Sequence, residues 1–369
     1  MPDLYIGLMS GTSLDGVDGV LTDFSSSRPV VVGYATAPFP PGLRAELLAL
    51  NTPGVNELHR AALAGNALMR VYAQVVAELV RSAGTSASSI TALGAHGQTV
   101  RHRPQEFDGT GYTLQLCQPA LLAEMTGIAV AADFRSRDVA AGGQGAPLAP
   151  FFHQAWFGGG AETVGVLNIG GISNLTVLSP GAAVMGFDCG PGNALMDAWC
   201  MRHTGRPYDS EGAWAASGQV RPELLDALLG EPYFAKPPPK STGRDLFSPA
   251  WLQAHLERFP DLAPPDVQAT LTELTARACS SDVLRCAAGL QALFVCGGGA
   301  LNKHLMRRLA ALLPEAKVST SAASGLPPLQ VEATAFAWLA RKTVRGEKLE
   351  LESTTGARGA RVLGCVYPA

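Results

Sequence analysis

The stretch Leu4-Tyr5-Ile6-Gly7-Leu8-Met9 runs into Ser10-Gly11-Thr12-Ser13-Leu14-Asp15-Gly16 and leaves through a second apolar run, Val17 to Phe24. Gly-Thr-Ser and Asp-Gly are turn formers, so the unit reads as strand, tight polar turn, strand. A near copy begins at Thr163. Val164-Gly165-Val166-Leu167-Asn168-Ile169 leads into Gly170-Gly171-Ile172-Ser173-Asn174 and on to Leu175-Thr176-Val177-Leu178. Two such units half a chain apart imply a duplicated fold. The length of 369 residues agrees, because one core rarely serves more than about 250–300. The expected division is residues 1–150 and 151–369, with packing of the last helix back on the first part left open. The Gly-rich stretch Ala140 to Gly160 reads as the linker.

Outward from the hairpins, apolar periodicity predicts helices over Asn56–Ala83, Pro119–Thr126, Asn193–Thr204, Glu223–Leu229, Gln268–Ala288, Lys303–Leu313 and Val331–Val344. Ala92–Ala95, Ile128–Ala132 and Ala292–Cys296 read as buried strands. Strands alternating with helices give an α/β class with a mixed sheet in each half.

Composition narrows the function. With 47% hydrophobic and 16% charged residues the chain is not disordered, and 28 basic against 31 acidic residues leave no basic stripe for nucleic acid. No apolar run approaches the ~20 residues of a membrane span, and the N-terminus lacks a secretory signal pattern. Seven scattered cysteines, none in a C-x-x-C pair, fit a reducing cytoplasm, and Cys117, Cys296 and Cys365 read as small core residues. A soluble enzyme is expected.

Three Gly-rich loops follow strands, where open α/β sheets bind ligands. Gly11-Thr12-Ser13 can cup a phosphate with backbone donors and hydroxyls. Asp188-Cys189-Gly190-Pro191-Gly192-Asn193 opens a helix and reads as a second phosphate-type site. Gly297-Gly298-Gly299 lets a flat ligand approach the backbone. The P-loop, the dinucleotide fingerprint, the His-Glu-x-x-His zinc motif and the G-x-S-x-G elbow are all absent from the sequence.

The duplicated hairpins and the late Gly-Gly-Gly loop resemble the actin-like ATPase and sugar-kinase superfamily. The strings sharpen this. Met9-Ser10-Gly11-Thr12-Ser13-Leu14-Asp15-Gly16-Val17-Asp18, Gly94-Ala95-His96-Gly97-Gln98-Thr99, Ala132-Asp133-Phe134-Arg135 with Asp138 to Leu148, and Asn168 to Asn174 resemble the 1,6-anhydro-N-acetylmuramic acid kinases. So do Gly186 to Asn193, Pro239-Lys240-Ser241-Thr242-Gly243-Arg244 and Cys296 to Asn302. The resemblance implies two actin-like (RNase H-like) domains with an active-site cleft between them. It implies ATP and Mg²⁺ as cofactors, an anhydro-muramic acid as substrate, and a homodimer. Members convert 1,6-anhydro-N-acetylmuramic acid, ATP and water to N-acetylmuramic acid 6-phosphate and ADP, in peptidoglycan recycling.

Water attacking an acetal carbon needs a general base. The resemblance puts that base at Asp188, against the alternative of a helix N-cap ahead of Asn193. The leaving oxygen is captured by phosphorus, so no second acid is required. Gly11, Thr12, Ser13, Leu14, Asp15, Gly16, Val17 and Asp18 would form the first phosphate loop, with Asp15 or Asp18 holding Mg²⁺ through water. Asp15 reads equally as a turn-stabilising carboxylate. Gly170, Gly171 and Ser173 would form the second phosphate hairpin, and Gly297, Gly298 and Gly299 would lie by the adenosine. His96, Thr99, Arg135 and Glu332 are the sugar candidates. The Arg135 fork suits a lactyl carboxylate, with an ordinary surface charge as its alternative. His96 also reads as a buried, satisfied histidine, and Glu332 as a carboxylate favoured by the helix dipole. A plain hydroxyl or carboxylate kinase of the superfamily is the competing enzymatic reading, and an actin-like filament or a sugar-responsive repressor the non-enzymatic one.

Overall fold

The computed structural model describes residues 3–11, 13–243 and 245–369. The chain forms two compact units, residues 1–152 with 330–369 and residues 153–329. Thr12 and Arg244, both singled out above, lie outside the described residues.

In the first unit β1 (Leu4–Met9), β2 (Gly16–Asp23), β3 (Val30–Pro38), β4 (Ile90–Ala95), β7 (Val130–Ala132) and β13 (Cys365–Tyr367) form one sheet, ordered β13-β7-β4-β1-β2-β3. A two-stranded ribbon, β5 (Gln98–Pro104) with β6 (Gly111–Leu116), branches from it after β4. β1 pairs antiparallel with β2 and parallel with β4, and β4 runs parallel to β7. β1 is apolar along its length because both faces of the sheet are covered. On one face the helix Glu57–Ser82 presses so close that a Cβ at Gly19 would lie 2.3 Å from Val75 Cγ1.

The other face explains the unit boundary. The helix Val331–Val344 packs on β1 and β4, where a Cβ on Gly7 would lie 1.8 Å from Ala333 O and one on Gly94 2.0 Å from Phe336 O. Only glycine permits that approach of helix backbone to strand. Residues 330–369 therefore belong with the first unit, where the sequence division grouped them with the second. The division after Phe152 falls inside the stretch read as the linker, which is partly helical, over Ala149–Phe157.

The second unit repeats the plan. β8 (Thr163–Ile169), β9 (Ile172–Leu178), β10 (Met185–Pro191), β11 (Leu290–Cys296) and β12 (Lys317–Thr320) are ordered β10-β9-β8-β11-β12. β8 is antiparallel to β9, β9 to β10, and β8, β11 and β12 are mutually parallel. Both sheets thus follow the RNase H-like order of actin-like domains. The core here gathers around the helix Pro264–Cys286, which is buried over most of its length. Its Glu273 is neutralised by Arg277 and Arg308 at 2.8 and 2.6 Å. Among the cysteines, Cys296 is buried but Cys365 is exposed on the edge strand β13, against expectation.

Candidate active site

In the first unit the turn after β1 is pinned from behind. His96 N donates to Leu8 O, Ser10 Oγ to Gly97 O, and Gln98 Nε2 to Gly11 O. Gly11 and Ser13 keep solvent access, and a Cβ on Gly11 would meet nothing closer than 3.9 Å. Leu14 and Val17 instead bury their side chains in the core. Any contact they make with a nucleotide is through main chain. Asp15 is exposed and faces Arg44 at 3.8 Å. Asp18 on β2 accepts the Tyr34 hydroxyl at 2.8 Å. Burial raises its carboxyl pKa, partly offset by that hydrogen bond.

The turn between β7 and the short helix Ser136–Ala140 presents Arg135. Its Nη2 donates to His96 Nε2 at 3.0 Å, its Nε reaches the same atom at 3.3 Å, and Nη1 donates to Gly145 O at 2.8 Å. A guanidinium has five N–H groups, so one on each terminal nitrogen is left for a ligand. Desolvation lowers the Arg135 pKa to about 10, opposed by Glu332 and Asp138, and it stays cationic at neutral pH. His96 is buried, and burial and then Arg135 push its pKa down to about 3. Its Nε2 is a neutral acceptor that orients Arg135, while its Nδ1 is buried without a hydrogen-bond partner among the described residues. Gly145 is itself held: its N–H donates to Asp138 Oδ2 at 2.6 Å, while Asp138 Oδ1 accepts Thr355 Oγ1. Thr99 sits on β5, its hydroxyl accepting from Gln115. Glu332, in the first turn of Val331–Val344, is open at its surface but enclosed at longer range. Desolvation and then Asp18 raise its pKa, against the pull of Arg135.

In the second unit Asp188 lies on β10 beside a bulge, where the pairing with β9 shifts between Asp188 and Gly190. Bulges re-aim side chains. Asp188 Oδ2 accepts Ser241 Oγ at 2.9 Å and Thr242 N at 3.0 Å, its N–H donates to Lys240 O, and its carbonyl accepts the Tyr233 hydroxyl. The Lys240 ammonium is occupied below, paired with buried Asp282 at 2.9 Å. Desolvation raises the Asp188 pKa above its ordinary value, with Thr242, Ser241 and Lys240 opposing. Thr242 Oγ1 beside it is buried without a hydrogen-bond partner. Asp188 is not an N-cap. The cap of the helix Ala194–Thr204 is Asn193, whose side chain donates to Ile169 O.

The expected anion site at that helix start is also revised. Gly192 N, Asn193 N and Ala194 N donate to the carbonyls of Gly171, Gly170 and Gly171, so these amides are occupied within the protein. Ser173 is buried and its hydroxyl donates to Pro191 O, which leaves main chain at half-exposed Gly170 and Gly171 as the hairpin's accessible surface. Gly297, at φ +76°, approaches Asn168 so closely that a Cβ would lie 2.4 Å from Oδ1. Gly298 is exposed and Gly299 buried against Ile169.

Sequence reasoning did not assign roles to Ser241, Thr242, Asp138 or Thr355. The Pro239–Arg244 string carried the signal for the first pair, since it matched the family without a function attached. Among the described residues no cluster of three or more His, Cys, Asp or Glu could hold a metal, and no helix is long and apolar enough to cross a membrane.

Comparison with known proteins gives this arrangement a family. A family model described as anhydro-N-acetylmuramic acid kinase matches residues 3–369. The anhydro-N-acetylmuramic acid kinase of Variovorax paradoxus (strain S110) is 66% identical over 372 residues, covering 100% of this chain and 99% of the relative. That of Albidiferax ferrireducens (strain ATCC BAA-621 / DSM 15236 / T118) is 62% identical over 389 residues, covering 100% of each. That of Cupriavidus pinatubonensis (strain JMP 134 / LMG 1197) is 59% identical over 370, covering 99% of this chain and 98% of the relative. With a match of that extent and identity, the chain belongs to the anhydro-N-acetylmuramic acid kinase family.

Proposed function

We propose that this chain opens 1,6-anhydro-N-acetylmuramic acid with water and phosphorylates O6 from ATP, giving N-acetylmuramic acid 6-phosphate and ADP in cell-wall recycling. The observation that carries the mechanism is the Asp188 carboxylate, aimed by a bulge and gripped on one oxygen by Ser241 and Thr242. Its other oxygen has the freedom to take a proton from water attacking C1. Desolvation strengthens it as a base, because a raised pKa brings proton affinity closer to the working pH.

Arg135, fixed by His96 and Gly145, offers its two remaining N–H groups to the lactyl carboxylate. Thr99 and Glu332 are proposed to bind sugar hydroxyls. Main chain at Gly11, Gly16, Gly170 and Gly171 would face the phosphates, and Gly297–Gly299 the adenosine. For Mg²⁺ the residues fit in a limited way. Asp18 has one oxygen engaged by Tyr34 and one left over, and Mg²⁺ needs few protein carboxylates when phosphates and water complete its shell. When bound, it would offset charge developing on the phosphates.

The test is incubation of the purified chain with ATP, Mg²⁺ and the anhydro sugar in ¹⁸O-labelled water, with the products read by mass spectrometry. A 6-phosphate labelled at C1 is expected. A phosphorylated product without label at C1 would reject the ring-opening step, and no turnover would reject the reading as a whole.

A further inference from the structure

A cavity of about 690 Å³ lies in the first unit, lined by none of the residues assigned above to sugar or nucleotide. One wall is the turn carrying Asp133, Ser136 and Arg137, and the other is the chain's last hairpin, with Lys348, Arg361 and Cys365. Both walls are fixed. β13 pairs with β7 through Cys365 and Ala132, and Leu349 bridges Arg361. The shape therefore exists before any ligand arrives.

The charge is the unusual feature. Three cations line the cavity against one carboxylate, in a chain whose net charge is −3. Among the described residues none of the three is ion-paired with a carboxylate, and the Arg361 guanidinium donates to Ala360 O. Asp133 is partly engaged, accepting Ser136 N at 3.3 Å. Like charges gathered on a concave wall concentrate positive potential and favour an anion that relieves their repulsion. Arginine forks match phosphate oxygens in particular. The volume is that of a small-molecule site and exceeds a bare phosphate ion, and Ala360 and Val362 add apolar surface.

We infer that this cavity is a second, non-catalytic binding site for a phosphate monoester with an organic body, its phosphate held by Arg137, Lys348 and Arg361. The claim is independent of the reaction proposed above. Cys365 gives it a local readout, because this free thiol is exposed and lines the cavity.

The experiment follows alkylation of Cys365 in the full chain by neutral iodoacetamide, quantified on its peptide by mass spectrometry. Arms contain a hexose 6-phosphate, inorganic phosphate, or chloride at matched ionic strength. At ligand tenfold above Kd the hexose phosphate should slow alkylation about tenfold, chloride should not, and inorganic phosphate should protect only at higher concentration. The exposed pair Arg137→Gln with Lys348→Gln should weaken that protection by about tenfold or more per cation removed. Equal rates with and without hexose phosphate would overturn the site, as would protection that survives in the double variant. Equal protection by the two phosphates would overturn the organic body.

Discussion

Asp188 in the second unit and Arg135 in the first are both charged groups held by hydrogen bonds, and desolvation is the leading influence on both. It pushes each toward its neutral form, with opposite functional results. For Asp188 the push yields a stronger base. For Arg135 a fall to about 10 leaves a full positive charge at neutral pH, so the group remains a binder. Their supports differ accordingly. The carboxylate rests on donors, Ser241 Oγ and Thr242 N, and the guanidinium on acceptors, His96 Nε2 and Gly145 O. One strand plan, used twice, therefore carries two chemistries, set by the loops that close around each strand end.

The contrast can be broken most sharply at Asp188. Asp188→Asn keeps the contacts of Ser241 and Thr242, since an amide oxygen accepts both, but cannot take a proton. kcat should fall by about 10²–10⁴-fold. The folded pKa lies above the unfolded one, so ionised Asp188 costs the fold stability at pH above it. Removing that charge should leave Tm at neutral pH unchanged or raised. A lowered Tm alongside lost turnover would point to a structural role.

Next in size is the ion pair beneath it. Lys240→Met leaves Asp282, among the described residues, with Arg285 as its remaining ion-pair partner. Breaking a buried pair costs about 3–5 kcal/mol, and the remaining arginine puts the expected loss near the lower end, read by urea unfolding. On the other side of the comparison, Arg135→Lys loses the fork but keeps the charge. KM for the muramic substrate should rise about tenfold or more with kcat less affected. An anhydro sugar lacking the lactyl carboxylate should be spared. Equal losses on both sugars would assign Arg135 a purely structural task.

The repeated hairpins were legible because tight polar turns between short apolar runs leave a pattern within some twenty residues. Pro119–Thr126 and Val331–Val344 appear with the bounds their sequence implies. What was hidden is long-range. Nothing local to Val331–Val344 says that it covers Gly7 and Gly94, a contact more than two hundred residues away. The β5–β6 ribbon was missed because half-exposed strands with mixed polar residues lack a continuous apolar run, whereas β3 carries such a run, Val30-Val31-Val32, and was overlooked. At the site, the resemblance singled out Asp188 and Arg135, but their supports lie elsewhere in the chain: Ser241 with Thr242, and Thr355 acting through Asp138. Ser173 was read as facing ligand because polarity alone does not reveal that its hydroxyl is engaged inside the protein, and nothing local to His96 shows that its Nε2 is taken by Arg135.

The smallest expected effect is also the most direct test. If Asp188 is the base, kcat must fall on the acid side with a midpoint above the ordinary aspartate value of 3.8. Ser241→Ala removes one of the two donors that favour the ionised form, so that midpoint should move upward while the alkaline side stays in place. The decisive measurement is the pair of kcat–pH profiles for the unaltered chain and Ser241→Ala. An acid limb that is raised, and raised further in the variant, is what the account predicts. A limb at or below 3.8, or one that does not move, would contradict Asp188 as the general base.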